Sequence, residues 1–247
     1  MPGKYPLLSM PKIFLLSIYL ISVVLAQPAA LRVLIVTGGH DFEEEAFFNM
    51  FQNMKSITWK HERFGSGAES SLTVENASTY DVAVFYDMHQ AREPHWQSWL
   101  QVLRRGKPSV FLHHSLGSYV DWTEYQDIVG GHANFSKRIV PGTPNATFQH
   151  DVSFHVRLAD PDHPITAGLH DFDIVDETYD KFSVKPEVHS LLTTDQPGSG
   201  SIIGWTHVYG GSRVVYIQLG HDHTAYDNPN YRALVERSIL WTAGRLK

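Results

Sequence analysis

Of the 247 residues of the chain, 43% are hydrophobic and 19% are charged, a composition typical of a globular protein rather than a disordered, fibrous or multi-spanning one. The chain has 20 Lys and Arg residues against 26 Asp and Glu and no basic cluster, which disfavours nucleic-acid binding. The absence of cysteine excludes disulfides, thiolate metal ligands and cysteine nucleophiles.

The first 26 residues have the pattern of an export signal. Lys4 and Lys12 precede an uncharged apolar run, Ile13–Ala26, which is shorter than the roughly 20 residues of a spanning helix. Val24–Ala26 has small or apolar residues at the spacing of a signal-peptidase site. We therefore predict a signal peptide over residues 1–26, secretion or export to a periplasm, and no stable membrane insertion after cleavage. An uncleaved anchor is the alternative.

Strand and helix patterns alternate in the next part of the chain. Leu31–Thr37 is a continuous apolar run with β-branched residues, which is typical of a strand buried on both faces of a parallel sheet. Glu43–Lys55 has apolar residues at helical spacing and acids in its first turn, where the helix dipole favours them. The alternation continues through Ile57–Glu62, Asp81–Tyr86, Glu93–Arg105 and Ser109–Leu112. We therefore predict a three-layer, doubly wound α/β fold with a mostly parallel sheet.

The pattern changes after Gly131. Phe148–Leu158 alternates in the manner of an antiparallel or edge strand, so we predict an antiparallel insertion here. Patterns of parallel strands return at His189–Thr194, Ser201–His207 and Arg213–Leu219. A C-terminal helix is expected from about Asn230 to Thr242. Because no repeat or linker divides the chain, residues 30–247 are predicted to form one domain.

Polar residues follow the predicted parallel strands, at the edge where open α/β sheets bind ligands. They lie in the segments His40–Asp41, Asp87–His89, His113–Ser115 and His221–His223. Imidazole and carboxylate groups are natural ligands of zinc and similar divalent ions. We therefore predict a divalent metal site, with zinc as one candidate ion, and with His113, His221 and His40 as ligands. Hydrogen bonding of these histidines to loops and backbone is the alternative.

Glu177, Asp41 and His114 are the candidate catalytic residues. Glu177 stands in the acidic segment Asp176–Asp180 and is the candidate general base, unless that segment is a solvated loop. Asp41 would complete or orient the metal shell. Ser115, with His114 or His221, leaves a serine hydrolase as a less favoured hypothesis, because a histidine stands where the nucleophile elbow needs glycine.

Several motifs together resemble the trehalose-utilisation (ThuA-like) family over nearly the whole mature chain. They are Val33–His40, Phe111–His114, Tyr125, Val129–Gly131, Asp162–Ile165, Asp176–Tyr179, Gly210–Val214 and Leu219–Asp222. The resemblance implies a class I glutamine amidotransferase-like fold, in which a flavodoxin-like sheet carries helices on both faces. The related amidotransferases use a cysteine nucleophile, so the lack of cysteine rules out that route in this chain.

The resemblance also implies a small carbohydrate substrate, namely a disaccharide, a glycoside or a keto-sugar derived from one, and makes a bound divalent metal a reasonable expectation. The favoured hypothesis is an exported, metal-assisted enzyme that acts by hydrolysis, elimination or isomerisation. Trp122, Trp205 and Tyr226 would supply flat surfaces for sugar rings, unless they pack in the core. The alternative is a non-catalytic carbohydrate-binding or scaffold module of the same fold, and the oligomeric state is left open.

Overall fold

The computed structural model describes residues 29–64, 70–90, 96–136, 138–140 and 143–246, together with residues 1 and 3. Apart from residues 1 and 3, the predicted signal peptide, residues 1–26, therefore lies outside the described residues. Within the described part of the chain, no helix is long and apolar enough to cross a membrane.

Strands and helices alternate in the first half of the chain, as the sequence predicts. The strands are Leu31–Gly38 (β1), Ile57–Arg63 (β2), Val82–Asp87 (β3) and Ser109–Leu112 (β4), and the helices are Glu44–Gln52 (α1), Trp96–Arg104 (α2) and Thr123–Val129 (α3). Short 3₁₀ turns occupy Ala77–Thr79 and His113–Gly117. β3 is buried at every position and β1 at all but one, because helices cover both faces of the sheet.

The second half is mostly β-structure. Its strands are Gly131–His132 (β5), Thr147–Leu158 (β6), Phe172–Asp180 (β7), Ser183–Val184 (β8), His189–Thr193 (β9), Ile202–Tyr209 (β10) and Ser212–Ile217 (β11). The helices His223–Tyr226 (α4) and Pro229–Thr242 (α5) follow. The N-terminus of α5 is capped by Asn228, whose side chain accepts hydrogen bonds from the N–H groups of Asn230 and Tyr231, and proline occupies the first turn. The predicted C-terminal helix is confirmed.

Within the described residues, nine strands form one sheet in the order β2-β1-β3-β4-β11-β10-β9-β6-β7. The five strands from β2 to β11 are parallel and have the flavodoxin-like order. The remaining four, from β10 to β7, are antiparallel, while β5 and β8 form a separate pair. The predicted doubly wound α/β fold with an antiparallel insertion is therefore confirmed.

The prediction of parallel strands at 189–194 and 201–207 is wrong, since β9 and β10 are both antiparallel to their neighbours. For β9, the eight residues 194–201 that lead to β10 are too few for a crossover; for β10, the connection to β11 explains the direction. It consists of Gly210 and Gly211 alone, and Gly210 has a φ of 57°. A two-residue glycine turn makes a hairpin, whereas a parallel pair needs a crossover of a dozen or more residues.

Two apolar clusters lie on opposite faces of the sheet. One packs α1 and α5 against the sheet through residues such as Phe47, Met50, Leu234 and Ile239. The other packs α2 and α3 against the opposite face through residues such as Trp99, Leu103, Tyr125 and Ile128. The three layers fix the parallel strands firmly, so the carboxyl ends of these strands form a rigid edge.

The β6–β7 hairpin is attached to the sheet at only one end. β6 pairs with β9 through Arg157 and Leu158, whereas its pairing with β7 runs from Val156 back to Thr147. The remainder of the hairpin, called the ribbon below (residues 147–156 and 172–180), extends beyond the last main-sheet pairing. The side chains that the antiparallel half contributes at the carboxyl ends of the parallel strands come from this ribbon.

Candidate functional site

Two histidines meet at the carboxyl ends of neighbouring parallel strands. His113 follows β4 directly and His221 comes four residues after β11, and these strands pair in register through Leu112 and Ile217. His113 has a left-handed backbone with a φ of 50°, which is costly for a residue with a side chain. The conformation is supported by Tyr216, whose hydroxyl donates a hydrogen bond to the carbonyl oxygen of His113 at 2.9 Å.

The ribbon brings Glu177 to this edge. The neighbouring Asp176 accepts hydrogen bonds from the backbone N–H of Gly220 at 2.7 Å, of His221 at 3.0 Å and of Glu177 at 2.8 Å. Its carboxyl group therefore joins β7 to the loop after β11. Burial raises the pKa of Asp176, an effect that the nearby imidazole of His113 and these three N–H groups oppose. Through this contact a strand at the far end of the sheet order reaches the ends of β4 and β11.

Glu177, His113 and His221 form a compact cluster, called the triad below. Glu177 Oε2 lies 3.0 Å from His113 Nε2 and 3.3 Å from His221 Nδ1, and the two nitrogens are 3.2 Å apart. The side chain of His113 is fully buried, that of Glu177 is 6% exposed and that of His221 is 26% exposed. The triad is thus closed on the protein side and reachable through His221.

The triad favours a charged Glu177. Burial opposes ionisation of this carboxyl group, but hydrogen bonds from His113 and His221 outweigh burial and hold its pKa below the ordinary value. The hydrogen bond to Glu177 raises the pKa of His221 in turn, against a smaller effect of burial. A carboxylate among imidazoles is an electrostatic arrangement that suits a bound cation.

The donor set fits a divalent metal ion. The ligand atoms of the three residues lie within 4.8 Å of one another. Two imidazoles and one carboxylate are a donor set of catalytic zinc sites. His113 Nδ1 lies 2.7 Å from the carbonyl oxygen of Gln218, which can only accept, so Nδ1 carries a proton, and a metal bound at the triad would take the place of the Nε2 proton that is shared with Glu177. Metal-binding histidines are commonly oriented in this way.

Tyr179 and His150 complete the surroundings of the triad. The hydroxyl of Tyr179 lies 2.8 Å from His113 Nε2, and burial raises the pKa of this tyrosine well above its ordinary value. His150 Nδ1 lies 3.3 Å from Glu177 Oε1, with 49% of the His150 side chain exposed. His150 occupies a break in the β6–β7 register, beside Asp151 with a φ of 56°. Such bulges redirect side chains and occur often next to active sites.

Neither His150 nor Tyr179 is predicted from the sequence as a site residue. Tyr179 lies two residues from Glu177 on one strand and therefore shares its face. This signal is visible once Asp176–Asp180 is recognised as part of a strand instead of a solvated loop. The position of His150 depends on the register break in β6, and no glycine or proline in that strand indicates the break in the sequence.

The other predicted site residues lie beside the triad or outside it. The rings of His40 and His114 stack at 4.6 Å, and those of His113 and His114 are 5.4 Å apart. His114 is buried, and burial followed by the charges of His113 and His40 lowers its pKa well below the ordinary value. Asp41 has a fully exposed side chain, 3.8 Å from Arg63. Within the described residues, the third donor of the cluster is Glu177 and not His40.

The aromatic residues expected to stack on sugars are in the core. Trp122 is 5% exposed, and Trp205 and Tyr226 are fully buried. The indole N–H of Trp205 donates to the carbonyl oxygen of Val129 at 2.8 Å, and the Tyr226 hydroxyl lies 2.6 Å from that of Tyr86. The expectation of a stacking surface at these three positions is therefore wrong, because their rings fill space between the layers.

Ser115 is buried as well. No hydrogen-bond partner for its hydroxyl is found in the part of the chain that the structure describes. The described contacts thus pair it with neither His114 nor His221, as a serine nucleophile would require.

A family model described as trehalose utilisation (ThuA) matches residues 32–242. The fold is similar to that of a ThuA-like protein from Parabacteroides merdae, with 17% identity, a TM-score of 0.75 and coverage of 89% of this chain and 92% of the other. A ThuA-like protein from Bacteroides uniformis is 16% identical, with a TM-score of 0.67 and coverage of 88% of this chain and 93% of the other. A glutamine amidotransferase from Thermotoga maritima is 10% identical, with a TM-score of 0.52 and coverage of 87% of this chain and 99% of the other. No curated protein matches the chain.

Proposed function

The chain belongs to the trehalose-utilisation (ThuA) family, and from this premise we propose that it is a metal-assisted enzyme acting on a disaccharide, a glycoside or a keto-sugar derived from one. The proposal rests above all on the triad, His113, Glu177 and His221, at the carboxyl edge of the parallel strands. Hydrolysis, elimination and isomerisation of such substrates all need a group that polarises an oxygen atom and a group that moves a proton.

The three residues of the triad would hold a divalent cation such as zinc, which when bound would polarise a carbonyl or hydroxyl oxygen or activate water. His113 is suited to binding because its Nδ1–H is held by the carbonyl of Gln218 at 2.7 Å. Glu177 is better suited as a ligand than as the general base, because a base works best with a pKa near the working pH and the pKa of Glu177 is lowered.

His150 is the candidate for moving protons between the site and water. Its Nδ1 is within 3.3 Å of Glu177 Oε1, and half of its side chain is exposed to solvent. An imidazole has one nitrogen that can release a proton and one that can accept a proton, so it can serve as a general acid or base. The Tyr179 hydroxyl lies 2.8 Å from His113 Nε2, the atom that would bind the metal, so it is placed to contact a group bound at the site.

Metal analysis of the purified protein tests this proposal. We expect near-stoichiometric metal in the wild type after reconstitution and dialysis, and its loss in His113→Ala, Glu177→Gln and His221→Ala. Turnover of disaccharides and of their 3-keto forms should be lost in the same three variants. His189→Ala is the matched control, because His189 pairs with the carboxylate of Asp160 at 2.8 Å outside the triad.

Two outcomes would contradict the proposal. Absence of metal from the reconstituted wild type would exclude metal assistance and favour a carbohydrate-binding or scaffold module. Retention of metal by all three variants would show that the metal binds elsewhere in the chain.

Export through a signal peptide over residues 1–26 is part of the same proposal. Its support is the apolar run Ile13–Ala26 behind two lysines. Expression of the full chain in a secreting host should give an extracytoplasmic protein that begins at Gln27. Recovery of the intact N-terminus in a membrane fraction would instead identify an uncleaved anchor.

A further inference from the structure

Phe148 is the exposed aromatic residue at the mouth of the site. Among the described residues, the large apolar side chains that are clearly exposed are those of Met1, Ile139, Phe148, Val175 and Val208. Phe148 is the aromatic member of that set, and it is 51% exposed. Single exposed apolar residues are common and need no explanation, so its position relative to the triad decides whether it has a role.

The ribbon register puts Phe148 on the face that carries the triad carboxylate. Phe148 on β6 is directly opposite Tyr179 on β7. Directly opposed residues of an antiparallel pair project from the same face, as do residues two apart along one strand. Phe148, Tyr179 and Glu177 therefore share one face.

Two series of ring contacts connect Phe148 with the triad. On one side its ring is 5.2 Å from the ring of His150, which is 4.7 Å from that of His221. On the other side it is 6.2 Å from Phe135, whose ring is 4.6 Å from that of Tyr179, and the Tyr179 ring is 5.0 Å from that of His113. The exposed ring thus lies no more than two ring contacts from a triad histidine.

Phe135 is held in place from behind. A Cβ at Gly117 would lie 2.5 Å from the Phe135 ring, so this ring can occupy its position only because residue 117 has no side chain. Phe135 is partly buried in the apolar cluster that contains α2 and α3. Phe148 therefore stands on a fixed aromatic support.

We infer that Phe148, supported by Phe135, is the stacking surface for one ring of a saccharide whose other ring reaches the triad. This inference rests on the proposed function for its substrate class. A pyranose ring has an apolar C–H face that packs on an aromatic ring, and its hydroxyl groups need polar neighbours. Gln149, His150 and Asp151 are exposed beside Phe148 and provide them.

The size of the apolar surface favours a sugar over a protein. A stable protein interface buries on the order of 800 Å² on each partner, with a hydrophobic centre. Here a single exposed ring is surrounded by exposed polar residues of β6. A binding site of this composition suits a small ligand with one flat apolar face.

Saccharide binding to the zinc-loaded protein tests the inference. The probes are trehalose, maltose and cellobiose, with glucose as the single-ring comparison, measured by calorimetry. Phe148→Ala should weaken disaccharide binding about tenfold, with a smaller change for glucose, and Phe148→Trp should retain binding. Val208→Ala is the matched control. Val208 is 65% exposed and pairs with Arg213 near the start of β11, at the end of the strand away from the triad.

Zinc content, measured on the same samples, separates this inference from the proposed function. Zinc should be equal in the wild type and all Phe148 variants. Equal disaccharide affinity in the wild type and Phe148→Ala would overturn the stacking surface, as would failure of every disaccharide to bind the zinc-loaded wild type. If zinc does not load but disaccharides bind in a Phe148-dependent way, the metal proposal fails and the stacking surface stands.

Discussion

The parallel and antiparallel halves of the sheet contribute to the site in different ways. The parallel half supplies His113 and His221 from the ends of two neighbouring strands. The antiparallel half supplies Glu177, Tyr179 and His150 from within the ribbon. In the first case the chain direction brings both residues to the same edge, where contacts such as that of Gln218 with His113 orient the rings. In the second, position depends on specific contacts, among them the register break at His150, the buried carboxyl group of Asp176 and the packing of Phe154 and Ile174 in the core.

This difference shows which site residues can be located from the fold alone and which cannot. Parallel strands joined by crossovers must end at the same edge, so polar residues that follow them converge. A hairpin can leave the sheet in many directions, and only specific contacts select one. We therefore expect separable effects on stability and metal binding from three kinds of mutation. They weaken the junction between the halves, the docking of the ribbon, or the buried part of the parallel edge.

The largest effect is expected where the two halves join. Trp205 on β10 is fully buried, its ring lies 4.4 Å from that of Tyr216 on β11, and its N–H donates to the carbonyl of Val129 at the end of α3. Trp205→Ala should lower the free energy of unfolding by about 4 kcal/mol, because it creates a large cavity. Denaturant unfolding measures this change. A loss below about 1 kcal/mol would mean that the halves are stable independently of this contact.

The next effect concerns the docking of the ribbon. Asp176→Asn keeps the shape but replaces one of the two acceptor oxygens with an N–H₂ group, so at least one of the backbone N–H groups of Gly220, His221 and Glu177 is left without its acceptor. Unfolding free energy should fall by about 3 kcal/mol, and metal affinity should fall with it. Asp173→Asn is the control: Asp173 lies on the same strand, 82% of its side chain is exposed and it pairs with the exposed His155, so metal affinity should be unchanged and stability should change by less than about 1 kcal/mol. Unchanged metal affinity in Asp176→Asn would show that the ribbon reaches the edge without this carboxyl group.

The smallest effect is a pH dependence from the parallel half. Burial lowers the pKa of His114, so the folded protein keeps this imidazole neutral while the unfolded chain binds a proton below about pH 6.5. Stability from His114 is therefore present above pH 6.5 and is lost as the pH falls below it, by at most about 1.4 kcal/mol per pH unit.

His114→Gln isolates this contribution, because glutamine does not titrate. Unfolding of both proteins in the presence of a chelator, at pH 7.5, 6.5 and 5.5, should give a steeper loss of stability for the wild type. Parallel pH profiles for the two proteins would contradict a neutral, buried His114.

Local patterns were sufficient for most of the fold. The apolar run at Leu31–Thr37 and the helical spacing at Glu43–Lys55 gave β1 and α1 within a few residues. The direction of β9 and β10 was missed, although the Gly210–Gly211 pair signals a hairpin. Apolar periodicity reports burial of a strand, and a strand buried on both faces looks the same in either direction.

The sequence by itself determined the doubly wound fold, the lack of any thiolate chemistry, and the convergence of His113 and His221 at one edge. Only the tertiary structure decided that Glu177 is the third member of the triad, that His150 and Phe148 stand at its mouth, and that Trp205 is in the core. The physical reason is the range of the interactions. Hydrophobic periodicity and crossover connections act along the chain, whereas the path of the ribbon is set by contacts between residues more than forty positions apart, such as Asp176 with Gly220.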